Sequence, residues 1–214
     1  MLNPAKHPTV YLKDYQPPAF LLSGCELEFD LDPEETHITA HYQVDANGDS
    51  RTLKLDGEGL ELEFVKIDGR PLEPEEYELD DRSLTLNKVP DSFILSIQTR
   101  VHPAGNTSLE GLYQSGDMLC TQCEAQGFRR MVYSLDRPDV LTAYTVTLRA
   151  DKTRYPVLLS NGNLIEEGED GETHFAIWQD PFPKPTYLFA LVAGNLVRHS
   201  DTFTTRGGQE AGSY

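Results

Sequence analysis

The chain has 214 residues, 38% of them hydrophobic and 25% charged, a globular balance with enough apolar mass for one large domain or two small ones. Lys and Arg total 18 against 35 Asp and Glu, a net charge of −17. That charge argues against nucleic acid, whose binding runs on phosphate neutralisation, and against docking on an anionic membrane surface. No run reaches the ~18 continuous apolar residues of a membrane helix. Residues 1–8 lack the apolar core of a signal peptide, which predicts a cytoplasmic protein.

Alternation with a period of two sets the pattern along the chain. Cys25, Leu27, Phe29 and Leu31 face one way, opposed by Glu26, Glu28 and Asp30; Ile38, Ala40, Tyr42 and Val44 repeat it. Each predicts a half-buried strand. Residues 53–81 hold eleven acids against three bases, the composition of a solvated hairpin face. Within them Asp68-Gly69 predicts a two-residue hairpin turn, and Asp80-Asp81 divides residues 77–79 from 83–86. Phe93, Leu95, Ile97, Thr99 and Val101 form a third alternating run.

Residues 102–140 break the alternation and carry Gly105, Gly111, Gly116 and Gly127. They also hold Leu109, Leu112, Tyr113, Met118, Leu119, Phe128, Met131, Val132 and Tyr133, which favour burial, so a long structured functional loop is expected rather than disorder. Tyr144, Val146 and Leu148 make a fourth strand, Asn161-Gly162 a second hairpin signal, and residues 187–193 a continuously apolar strand of the kind buried on both faces. The polar, glycine-rich residues 207–214 read as a linker or an added end rather than a closing strand. No long segment is apolar at helical spacing. The expected fold is all-β, an antiparallel β-sandwich-like domain over residues 1–206 with a long structured loop at about 102–140.

Most chemical motifs fail on context. His37 and His41 have the spacing of a zinc helix without its glutamate, and on a strand four residues span about 13 Å, too far for a shared metal. Cys120 and Cys123 form a C-x-x-C with no second pair to complete a zinc site and no helix to activate a thiol, and with Cys25 they are too few for a disulfide framework. Ser115 lacks the G-x-S-x-G elbow. Asn106-Thr107-Ser108 fits a glycosylation sequon, which needs a secretion signal to be used.

Gln122 and Glu124 flank Cys123, and on extended backbone both would point one way. Two readings stand. A carboxylate beside an amide makes a receptor for a protonated amine. Alternatively, Glu124 is bridged to Arg129 or Arg130 in a structural pair.

The sequence at 106–113 (NTSLEGLY), 120–129 (CTQCEAQGFR) and 136–140 (DRPDV) resembles the N-terminal domain of the bacterial aminopeptidase N family, and so do 155–163 (YPVLLSNGN), 178–182 (WQDPF) and 187–194 (YLFALVAG). That family comprises zinc metalloaminopeptidases of the thermolysin-like superfamily, which release N-terminal residues from peptides. The resemblance implies a saddle-shaped β domain whose Q-C-E-A loop reaches the active site. There Glu124 would bind the free amine of a peptide substrate and Gln122 would line the pocket for its first side chain. It also implies zinc in the full-length enzyme and the remaining catalytic domain of the same polypeptide as a partner. The chain holds no H-E-x-x-H and no G-A-M-E-N motif, so no catalytic or metal-binding residue is expected within it and the fragment alone should be inactive. The rival expectation is an autonomous acidic β-sandwich binding or scaffold module.

Overall fold

A computed structural model describes residues 11–208 and 210–213; the leader reading at residues 1–8 lies outside them. In chain order the strands are β1 (Phe20–Asp30), β2 (Thr36–Ala46), β3 (Thr52–Asp56), β4 (Glu61–Ile67), β5 (Arg70–Pro71), β6 (Tyr77–Asp80), β7 (Ser83–Asn87), β8 (Ser92–Val101), β9 (Gly111–Ser115), β10 (Met118–Gln122), β11 (Thr142–Asp151), β12 (Val157–Ser160), β13 (Asn163–Asp170), β14 (Thr173–Lys184), β15 (Leu191–Gly194), β16 (Asp201–Thr204) and β17 (Glu210–Ser213). Short 3-10 turns supply the only helical structure among the described residues, and no helix there is long and apolar enough to cross a membrane.

An eight-stranded sheet runs β13-β14-β11-β1-β2-β8-β4-β5, with a four-stranded sheet β12-β15-β10-β9 and a three-stranded sheet β3-β7-β6. The alternating runs all lie in the large sheet. Leu27, Phe29, Ile38, Ala40, Leu95, Ile97, Val146 and Leu148 are buried on its inner face, while Glu28, Thr39, Gln98 and Arg149 keep partial or full exposure on the other. The inner face, the smaller sheets and the 102–140 segment share one hydrophobic core. Each fully buried large side chain there contributes about 1.5–3 kcal/mol.

The all-β expectation holds, with four local corrections. First, β1 pairs with β11 in parallel, Cys25 opposite Tyr144, so the large sheet is mixed. Second, the 102–140 segment contains the β9–β10 hairpin, closed at Ser115↔Met118 around Gly116 and Asp117. Third, Asn161-Gly162 is not a hairpin turn: β12 pairs with β15, and β13 with β14. Asn161 instead bonds the Leu188 carbonyl and the Ala190 N–H, and Gly162 sits at φ +89° where a Cβ would lie 2.2 Å from the Gln179 carbonyl oxygen. The same side-chain bonds explain why the apolar run at 187–193 becomes a 3-10 turn over Thr186–Leu188 before the short β15. Fourth, the polar end at 207–214 is not strandless, since β17 pairs with β16.

The acidic residues of 53–81 divide between two sheets rather than covering one hairpin face. The Asp68-Gly69 turn does join β4 to β5, and Asp80-Asp81 lies between the paired β6 and β7.

Candidate functional site

The Gln122–Glu124 region is a turn slung between two side chains sunk in the core. β10 ends at Gln122, opposite Gly111 on β9. Cys123 is 3% exposed and Phe128 is fully buried, whereas Glu124, Ala125 and Gln126 between them are exposed. Phe128 packs edge-on to Phe189, with ring centroids 5.5 Å apart, and against Tyr144. The Gly127 N–H closes the turn on the Cys123 carbonyl at 2.9 Å. A Cβ on Gly127 would lie 2.1 Å from the Gln122 carbonyl oxygen, so only glycine lets the turn shut this tightly. The Glu124–Ala125 peptide bond is cis.

Extended backbone ends at Gln122, so strand alternation does not govern Glu124. The two residues meet through one hydrogen bond: the Gln122 side-chain Nε2 donates to the Glu124 main-chain carbonyl oxygen at 3.0 Å. The Glu124 carboxylate has no hydrogen-bond or ion-pair partner among the described residues. Arg129 and Arg130, its alternative partners, are committed elsewhere. Arg129 donates from Nε to the Asp136 carboxylate at 2.8 Å and also lies 3.6 Å from Asp56. Arg130 pairs with Glu110 and Glu58, each at 2.9 Å.

Gln122 shares its strand face with Cys120 and Met118. Across the four-stranded sheet that face carries the row Leu159–Val192–Cys120–Tyr113, each member opposite the next. Leu159 is 39% exposed and the others are half-buried, so the turn stands at the end of a partly open, largely apolar sheet surface.

The other candidates do not converge on one centre. His37 contacts Glu63 and Glu35, while His41 contacts Ser96, so the two imidazoles serve separate partners. The three cysteines are free thiols, and burial, with the Asp136 charge adding, pushes Cys123 up to about 12. The Asn106 amide is occupied by the Glu110 and Leu112 carbonyls, each at 2.8 Å, and so shapes the loop. Among the described residues no group of three or more His, Cys, Asp or Glu could hold a metal ion, so nothing here fits a zinc ion. Asp136, whose only signal in the sequence is its place in the DRPDV stretch, has a side chain 1% exposed that takes the Arg129 pair and the Thr186 hydroxyl.

The model of the peptidase M1 N-terminal domain matches residues 13–188. The chain belongs to that family. It is 49% identical over 202 residues to aminopeptidase N of Escherichia coli (strain K12), covering 94% of this chain and 23% of that protein. Identity to aminopeptidase N of Haemophilus influenzae is also 49%, with the same coverage. Among solved structures, Legionella pneumophila aminopeptidase A in complex with aspartic acid superposes with a TM-score of 0.87 at 37% identity, over 94% of this chain and 24% of that one. This peptidase M1 N-terminal domain therefore spans about a quarter of the length of the curated relatives it matches.

Proposed function

We propose that this M1 N-terminal domain anchors the free N-terminus of a peptide substrate within a zinc aminopeptidase. In this reading Glu124 receives the α-ammonium group and Gln122 lines the pocket for the first side chain. The observation that carries it is the exposed Glu124 carboxylate with no partner among the described residues, on a turn pinned by buried Cys123 and Phe128. An uncommitted acid on a rigid turn is suited to a cation. The aminopeptidase N relatives support the substrate class.

The chemistry follows from charge. An exopeptidase must reject internal peptide bonds, and a carboxylate that demands a cationic amine does so once the rest of the polypeptide covers the exposed Glu124 and excludes water, because leaving that charge unpaired then costs several kcal/mol. Holding the amine also fixes the scissile carbonyl relative to distant catalytic groups. Zinc, expected in the full-length enzyme, would be held outside the described residues and would supply Lewis-acid chemistry there. The partners are then peptides through their free amine, and the rest of the polypeptide, for which the Leu159–Val192–Cys120–Tyr113 surface is suited. The chain alone is expected to be inactive, and its free thiols suit the cytoplasm.

The test is Glu124→Gln in the full-length enzyme. A charge-assisted hydrogen bond contributes about 1.5–3 kcal/mol, so kcat/KM for free-amine peptides should fall roughly ten- to more than a hundredfold with zinc retained. N-acetylated peptides, already poor substrates, should be penalised far less. A change within about twofold on free-amine peptides would refute the anchoring role.

A further inference from the structure

We infer that Asp136 is the positioning residue of the Glu124 turn, setting through Arg129 and Thr186 where the Glu124 carboxylate stands. This rests on the anchoring role proposed for Glu124. Asp136 is a carboxylate with 1% of its side chain exposed, and such a charge is tolerated only when donors surround it. Its Oδ2 accepts both the Nε of Arg129 at 2.8 Å and the main-chain N–H of Arg129 at 3.3 Å. The Arg129 guanidinium also donates to the Asp136 carbonyl at 2.9 Å. Side chain and backbone of one residue are thus gripped by one acid. The Arg129 carbonyl is held in turn by the Glu58 N–H at 2.9 Å.

The other carboxylate oxygen of Asp136 accepts the Thr186 hydroxyl. Thr186 begins the 3-10 turn that leads into β15, and β15 pairs with β10, the strand that ends at Gln122. Asp136 therefore braces both sides of the turn. Arg129 lies five residues after Glu124, beyond the Gly127 closure, while the Thr186 route holds the strand that brings the chain in. No atom of Asp136 need touch the substrate for this to matter, since a displacement of about 1 Å in a bound group can cost a hundredfold in rate.

The experiment is a double-mutant cycle in the full-length enzyme, reading kcat and KM for a free-amine dipeptide, zinc content and thermal midpoint. Asp136→Asn keeps the volume but removes the charge that holds Arg129. It should lower kcat/KM about ten- to a hundredfold with zinc retained. In the Glu124→Gln background the same change should cost less than about threefold, because the group being positioned is gone. A merely structural role would give equal factors in both backgrounds, and equal factors overturn the inference. So does a wild-type-background loss of under about twofold in a folded enzyme. If Glu124→Gln alone has no effect, the anchoring reading has failed. If Glu124→Gln is costly and Asp136→Asn is simply additive to it, only the positioning role has failed. Thr186→Val removes one donor and leaves the ion pair, and the same cycle on it decides the matter should the asparagine variant not fold.

Discussion

Thr99 on β8 donates its hydroxyl to the main-chain carbonyl of Met131 at 2.6 Å, fastening the segment that follows the Glu124 turn to the inner face of the large sheet. Thr99 is fully buried, so its hydroxyl and that carbonyl have no access to water. Thr99→Val keeps the shape and strands the carbonyl. We expect a loss of about 1–3 kcal/mol in stability, read by urea denaturation with an unchanged m-value. A loss within experimental error would show that the Met131 carbonyl finds another donor.

Gly127→Ala should damage both the fold and the proposed anchoring site. The added methyl meets the Gln122 carbonyl at 2.1 Å and the Cys123 Cα at 3.0 Å, both of them main-chain atoms that cannot swing aside. Overpacking of this kind costs about 1–3 kcal/mol. The expected result is a lowered thermal midpoint here and, in the full-length enzyme, a reduced kcat/KM for free-amine peptides. An unaltered midpoint would mean that the turn can open freely.

Stability should carry a histidine component of definite sign. The Glu63 hydrogen bond raises the His37 pKa, aided by Glu35, and the Glu34 carbonyl and then Glu61 raise that of His102. A histidine held above its unfolded value of about 6.5 contributes stability that is complete below that pH and is lost as pH rises through the folded value. The difference in thermal midpoint between wild type and the His37→Gln/His102→Gln variant should be largest near pH ~5.5 and shrink toward pH ~8.5. A difference that grows with pH would contradict the assignment. Asp139 works in the opposite direction. Its hydrogen bond from Arg137, helped by Tyr15, holds it at about 2, so its contribution is present above the ordinary carboxylate range and lost as pH falls toward 2.

The cysteines should separate by reactivity. Cys25 and Cys123 are buried, and burial raises both thiols, whereas Cys120 is half-buried on the open sheet face. Because the thiolate is the reacting species, a disulfide reagent at about pH 8 should modify one thiol quickly in the native chain and the other two only on unfolding. Mass mapping that finds Cys123 labelled first would contradict this burial.

Much of the fold was legible because one-sided burial writes itself into sequence. The runs through Leu27, Ile38, Ile97 and Val146 bury every second residue, and nothing but a strand does that. The parallel pairing of β1 with β11 was not legible, since Cys25 and Tyr144 sit over a hundred residues apart and neither strand's pattern names its neighbour. The β9–β10 hairpin was not legible because Tyr113, Met118 and Cys120 are half-buried on one face and Gln114 is half-buried on the other, so neither face reads cleanly as core or as open water and the alternation is blurred. At Asn161-Gly162 the turn chemistry was visible, but the Asn161 side chain engages Leu188 and Ala190, partners distant in sequence. In the candidate site, motif and charge single out Gln122 and Glu124, but the extended backbone expected through both ends at Gln122. The contacts of Asp136 were not legible, because a buried acid looks like any other until its donors are placed around it.

The parallel seating of β1 beside β11 has a consequence for biosynthesis. β1 and β2 can pair as soon as both have left the ribosome, but the other edge of β1 stays unpaired until β11 emerges, and β11 then waits for β14. At ~5–20 residues per second, the half-built sheet persists for on the order of ten seconds, its apolar face and open strand edge exposed to solvent. The nascent chain should therefore depend on chaperone cover over that interval far more than the finished domain does.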